Sequence, residues 1–116
     1  MTDVLTSSPV IHRSPANPVL AAADVPYHAT LVFNAGVTKY QGQYVMVFRN
    51  DYGQRPDSVH PAATNLGLAL SDDGVKWRVQ PNPCWEWKDD EVSRVYDPRL
   101  TVMDGRCYMC FAVDTL

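Results

Sequence analysis

The sequence has few basic residues, few cysteines and no long apolar run. Lys and Arg number 10 among 116 residues against 13 Asp and Glu, for a formal charge of −3. Nothing gathers the cations into a stripe. Nucleic acid and anionic membranes are bound largely through clustered cations, so neither is an expected partner. No apolar stretch approaches the ~20 residues that cross a bilayer as a helix. The segment Met1 to Leu20 has no basic start followed by an unbroken apolar core. A secretory signal is therefore not expected, and the cytoplasm is the expected compartment. The odd cysteine count (Cys84, Cys107, Cys110) fits reduced thiols. Cys107 and Cys110 form a C-x-x-C, but residues three apart in a strand point to opposite faces. No second Cys/His pair completes a zinc site, and His12, His28 and His60 have no partners at metal or triad spacing. No metal or cofactor is expected. A sustained helical period is also missing.

Strand chemistry is abundant. Hydrophobic residues make up 46% of the chain, enough for a packed core. Pro9, Pro15, Pro18 and Pro26 give residues 1–26 an extended course, with at most a short edge strand near Val19-Leu20. From residue 27 to 116 alternating segments flank polar-Gly turns. "AGVTKY" and "QYVMVFR" surround Gln41-Gly42. "NLGLALS" and "VKWRVQ" surround Asp72-Asp73-Gly74. "RLTVM" and "CYMCFAV" surround Asp104-Gly105-Arg106. Glycine after a polar residue supplies the positive φ of a tight turn, so three hairpins are expected.

The first and third hairpins are copies. "NAGVTKYQGQYVMVFRND" (34–51) lies over "DPRLTVMDGRCYMCFAVD" (97–114) without gaps, at an offset of 63 residues. Thr38 meets Thr101, Gly42 meets Gly105, Met46 meets Met109, Phe48 meets Phe111 and Asp51 meets Asp114. The middle hairpin lies between the copies, so one repeat holds four strands. A tandem four-stranded antiparallel unit is the pattern of a β-propeller blade. "SDDGVKW" (71–77) resembles the Asp-box of sialidase-type propellers, one residue shorter, where it locks an outer hairpin. The expected fold is all-β: an incomplete propeller with one blade and the inner half of a second. Closure takes about four to eight blades, so the chain reads as an N-terminal part of a longer protein.

Inner strands of a propeller line its channel, and both copies open with a polar residue, Asn34 and Asp97. Arg49 ends the second strand, and Arg99 follows Asp97-Pro98. Asp before Pro is also ordinary turn chemistry; the related blade positions favour a site. "VPYHATLVFNAGVTKYQGQYVMVFRNDYGQR", "TNLGLALSDDGVKW" and "YDPRLTVMDGRCYMCFAVDT" closely resemble the N-terminal part of glycoside hydrolase family 130, nearest to its mannooligosaccharide and mannosyl-glucose phosphorylases. The resemblance implies a five-bladed propeller that cleaves β-mannosides with inorganic phosphate, inverting to α-mannose 1-phosphate. It implies Asp97 as the catalytic acid, with Tyr96 and Arg99 in the same motif. Asn34 and Arg49 fall on sugar-subsite positions, and Arg55 on a phosphate-binding one. The partners implied are a β-mannoside oligosaccharide and phosphate, and a homo-oligomer is compatible with this. A phosphorylase needs only one carboxylic acid, because phosphate arrives already anionic and requires cations to hold it. Two readings compete. One is a hydrolytic β-mannosidase of the same family; the other is a non-catalytic glycan-binding propeller module. Trp85-Glu86-Trp87 is equally a sugar-stacking platform or a rim aromatic cluster.

Overall fold

The computed structural model describes residues 6–54 and 61–116. Arg55 and His60 lie outside the described residues. Strands β1 (Leu31–Tyr40), β2 (Gln43–Gln54), β3 (Pro61–Ser71) and β4 (Arg78–Val79) form one antiparallel sheet in the order β1-β2-β3-β4. Strands β5 (Val92–Met103) and β6 (Arg106–Thr115) form a separate antiparallel pair. This is one propeller blade followed by the inner hairpin of the next.

The repeat extends to the backbone dihedrals. Gln41 and Gly42 turn the first inner hairpin at φ 51° and 78°; Asp104 and Gly105 turn the second at 50° and 74°. Two positive φ values in a row are the hairpin turn that follows strand twist. Each hairpin then breaks register at the same place, between Phe33 and Gly36 in one and Tyr96 and Arg99 in the other. Asn34 (φ 48°) and Asp97 (φ 51°) lie inside those irregularities in the left-handed region. Asn and Asp tolerate that region better than other side chains carrying a Cβ.

Both faces of β2 are covered, which removes the burial alternation its sequence pattern predicts. Met46 and Phe48 face a cluster with Val25 and Ala69, onto which Leu20, Tyr27 and Ala29 of the N-terminal segment pack. Val47 faces the other way, joining Leu66 and Val95, with Met109 and Phe111 of the second hairpin against them. Phe48, Leu66 and Val95 are fully buried. Burying such a side chain is worth about 1.5–3 kcal/mol. Strand β6 alternates exposed and half-buried residues from Arg106 to Phe111 and again, one step out of phase, from Ala112 to Thr115.

The seam between hairpins is close. A Cβ on Gly36 would lie 2.8 Å from the Pro98 carbonyl oxygen. Tyr40 Oη donates to the Gly105 carbonyl at 3.0 Å near the turns. Asn34 Nδ2 donates to Asp97 Oδ1 at 2.8 Å toward the other end.

Two expectations need correction. Residues 18–20 make a bend instead of an edge strand. Pro18 has no N–H to pair, and Leu20 is drawn onto the core. The strand expected over "VKWRVQ" shrinks to Arg78–Val79. Residues up to Trp77 are held in the turn: Ser71 Oγ accepts from Gly74 N at 2.8 Å, Asp73 Oδ1 accepts from Val75 N and Lys76 N at 2.8 Å, and Trp77 Nε1 donates to the Gly74 carbonyl at 3.1 Å. Pro81 and Pro83 then stop pairing. Further along, Trp85 resumes an isolated bridge to Leu66.

Candidate active site

Asn34, Arg49, Tyr96 and Asp97 come together where the two copies meet. Asp97 is presented by the left-handed kink of β5, and Asn34 by the equivalent kink of β1. Their hydrogen bond joins positions one repeat apart. Arg49 reaches the same carboxylate from β2, with Nη1 3.7 Å from Asp97 Oδ1. The Asp97 side chain is 38% exposed, open to a ligand from solvent, while Arg49 is 12% exposed.

Arg49 is caged. Its Nε and Nη2 each donate to a different oxygen of Asp51 at 2.9 Å. The Phe33 ring centroid lies 4.7 Å from its guanidinium carbon and the Tyr96 centroid 5.2 Å away. Phe33 and Tyr96 are themselves repeat equivalents, so two matched aromatic positions hold one cation by cation–π attraction. Burial works against the Arg49 charge, but hydrogen bonds and attraction from Asp51, then Asp97, outweigh it and raise its pKa further.

Asp114 performs the matching task in the second copy. Arg94 Nε donates to its Oδ2 at 2.7 Å and Tyr96 Oη to its Oδ1 at 2.8 Å. The Tyr96 bond, then the Arg94 bond, hold the Asp114 carboxyl below its usual range, and the same Tyr96–Asp114 bond pushes the phenol up. Arg99 takes a different course: its Nη1 donates to the neighbouring Pro98 carbonyl at 2.8 Å. The cation beside Asp97 is therefore Arg49, from another strand.

Asp51, Phe33, Thr64 and Asp114 escaped the sequence reading as site residues. The signal for Asp51 and Asp114 was present, since the repeat aligns them as two acids at one blade position. Trp85 and Trp87 are 40% and 41% exposed and meet edge-on at 6.5 Å, with Trp85 also 6.0 Å from Phe111. Trp87 Nε1 donates to Asp89 Oδ2 at 2.7 Å, so Asp89 organises this loop as well as facing solvent. The cysteines are free thiols.

Residues 8–116 match the profile of the beta-1,4-mannooligosaccharide phosphorylase family, glycoside hydrolase family 130. The chain belongs to that family. Solved structures with the same fold include a glycosyl hydrolase from Bacteroides ovatus, with a TM-score of 0.69 and 23% identity over 85% of this chain and 32% of that one. A second protein from Bacteroides ovatus ATCC 8483, assigned to the glycoside hydrolases, gives a TM-score of 0.65 at 20% identity, covering 85% of this chain and 32% of that one. One from Parabacteroides distasonis ATCC 8503, assigned likewise, gives 0.61 at 21%, covering 79% and 31%. No curated protein matches the chain. This family 130 chain thus spans about a third of the length of its solved relatives. The family's description names a mannooligosaccharide phosphorylase, and the all-β partial propeller agrees with the fold of the solved relatives.

Proposed function

We propose that this sequence supplies the catalytic acid and part of the sugar subsite of a five-bladed inverting β-mannoside phosphorylase. The observation carrying this reading is Asp97, exposed to a ligand yet held by Asn34 and Arg49 at the junction of two blades. The sugar lies against Asn34, Arg49 and Tyr96, with Arg99 on the rim. Phosphate attacks the anomeric carbon from the face opposite the departing oxygen. The C1–O bond to the leaving sugar breaks as the C1–O bond to phosphate forms. Asp97 gives its proton, relayed by the mannose 3-hydroxyl, to the leaving oxygen. Products are α-mannose 1-phosphate and a shortened acceptor. Asp97 Oδ1 is occupied by Asn34, so Oδ2 is the oxygen assigned to the proton. Phosphate is held by Arg55 together with cations from the rest of the propeller. No resident cofactor is required, because the co-substrate is the nucleophile.

The test is release of mannose 1-phosphate from β-1,4-mannooligosaccharides plus phosphate by the complete propeller polypeptide. Asp97→Asn keeps the shape and the left-handed backbone but cannot donate a carboxylic proton. It is expected to lose about 10²–10⁴-fold in turnover, the usual worth of general acid catalysis, with the fold intact. Free mannose released at a rate independent of phosphate would replace this reading with hydrolysis. Full phosphorolysis by Asp97→Asn would remove the acid role.

A further inference from the structure

We propose that Asp51 is a positioning residue that acts on the reaction through Arg49. The proposal rests on Arg49 being a sugar-subsite group. Asp51 is 3% exposed and too deep to touch a sugar itself. One of its oxygens accepts from Arg49 Nε at 2.9 Å and from Thr64 Oγ1 at 2.8 Å; the other accepts from Arg49 Nη2 at 2.9 Å. Two parallel bonds fix the plane of a guanidinium as well as its place. Thr64, from β3, fixes the carboxylate in turn. The rings of Phe33 and Tyr96 hold the guanidinium, and the Tyr96 ring is tied by its own hydroxyl to Asp114. What remains pointing toward Asp97 is Nη1. Arg49 is thus ordered before substrate arrives, and no side-chain freedom has to be lost during the reaction.

The experiment compares Asp51→Asn, Arg49→Met and the double variant in the complete propeller polypeptide, measuring kcat and KM for phosphorolysis of β-1,4-mannooligosaccharide. Loss of the fork misplaces Arg49 by the order of an ångström, so kcat/KM falls about 10²-fold in Asp51→Asn. If Asp51 works through Arg49, the double variant is no worse than Arg49→Met alone. Additive losses would overturn the proposal. Thr64→Val, which leaves the ion pair but removes the hydroxyl, gives a smaller loss in the same direction, and Thr64→Ser restores it. Those two variants carry the test if Asp51→Asn does not fold, and equal activity in both overturns the proposal. A collapse in Arg49→Met with none in Asp51→Asn overturns the positioning role alone. Full activity in Arg49→Met overturns the subsite reading of Arg49, and the positioning role with it.

Discussion

Replacing Gly36 with alanine puts one methyl group into the seam between the two hairpins. The added Cβ would lie 2.8 Å from Pro98 O, 3.0 Å from Arg99 Cα and 3.2 Å from Leu100 N. All three are main-chain atoms of β5, so no side chain can swing away; the second hairpin has to retreat. Ordinary contact begins at 3.4 Å, which sets the retreat at about 0.6 Å. Overpacking of this kind costs about 1–3 kcal/mol. The same retreat stretches the Asn34–Asp97 bond from 2.8 Å to about 3.4 Å, past the good range for N–H···O. It also takes Arg49 beyond 4 Å from Asp97, out of ion-pair range. A 1 Å error at a reacting group can cost 10²-fold, so about tenfold is expected in kcat/KM here. The assay pairs thermal or urea unfolding with phosphorolysis in the complete polypeptide. Gly42→Ala is the control. It meets open space but keeps a φ of +78° that alanine resists. It should lose about 1 kcal/mol of stability and none of the turnover. Unchanged stability and turnover in Gly36→Ala would refute the close seam and its link to the site.

Two further outcomes follow from the outer parts of the blade. Ser71 is fully buried, and its Oγ both accepts from Gly74 N and donates to Asp73 Oδ1. Ser71→Ala should therefore cost about 1–3 kcal/mol in urea unfolding, and a neutral result would remove its structural role. Tyr27 is pushed up from 10.0 to about 12 by burial and then by Cys84. A raised folded value means the associated stability is intact below pH 10 and lost as pH climbs toward 12. Tyr27→Phe should gain on the parent across that window in urea midpoints, and a constant difference would contradict the shift.

The architecture was legible because hairpins and repeats are local signals. Polar-Gly pairs marked the inner turns at Gly42 and Gly105, and the aligned copies matched Asn34 with Asp97, the positions where the pairing of both hairpins turns out to break register. The outer strand was less legible. Residues 75–77 carry strand-like side chains, but the backbone donors of Val75 and Lys76 are taken by Asp73 Oδ1 and the Trp77 indole by the Gly74 carbonyl. Side-chain capping competes with the ladder there, and a propensity reading cannot see which wins. Both Arg49 and Arg99 were read near Asp97, Arg49 from its blade position and Arg99 from its place two residues on. The fold turns Arg99 to its own Pro98 carbonyl and delivers Arg49 from 48 residues upstream. A pairing of that separation depends on which strands face each other.

The site arises from differences laid on a shared frame. At five equivalent places the backbone or pairing repeats while the chemistry either persists or changes. Asp51 and Asp114 persist, each anchoring an arginine. Phe33 becomes Tyr96, gaining the hydroxyl that Asp114 receives. Asn34 becomes Asp97, converting an amide donor into a group able to carry a proton at the same φ. Gly36 becomes Arg99, so the first copy lacks the side chain that would collide with the Pro98 carbonyl. Arg49 becomes Ala112, so the guanidinium shared by the Phe33 and Tyr96 rings has no repeat counterpart, although Arg94 also reaches the Tyr96 ring at 5.3 Å. Were both copies alike, two amides would face each other, or two carboxylates that repel when ionised. Asymmetry at Asn34/Asp97 lets one residue donate and the other accept, and it leaves an oxygen of Asp97 for the substrate.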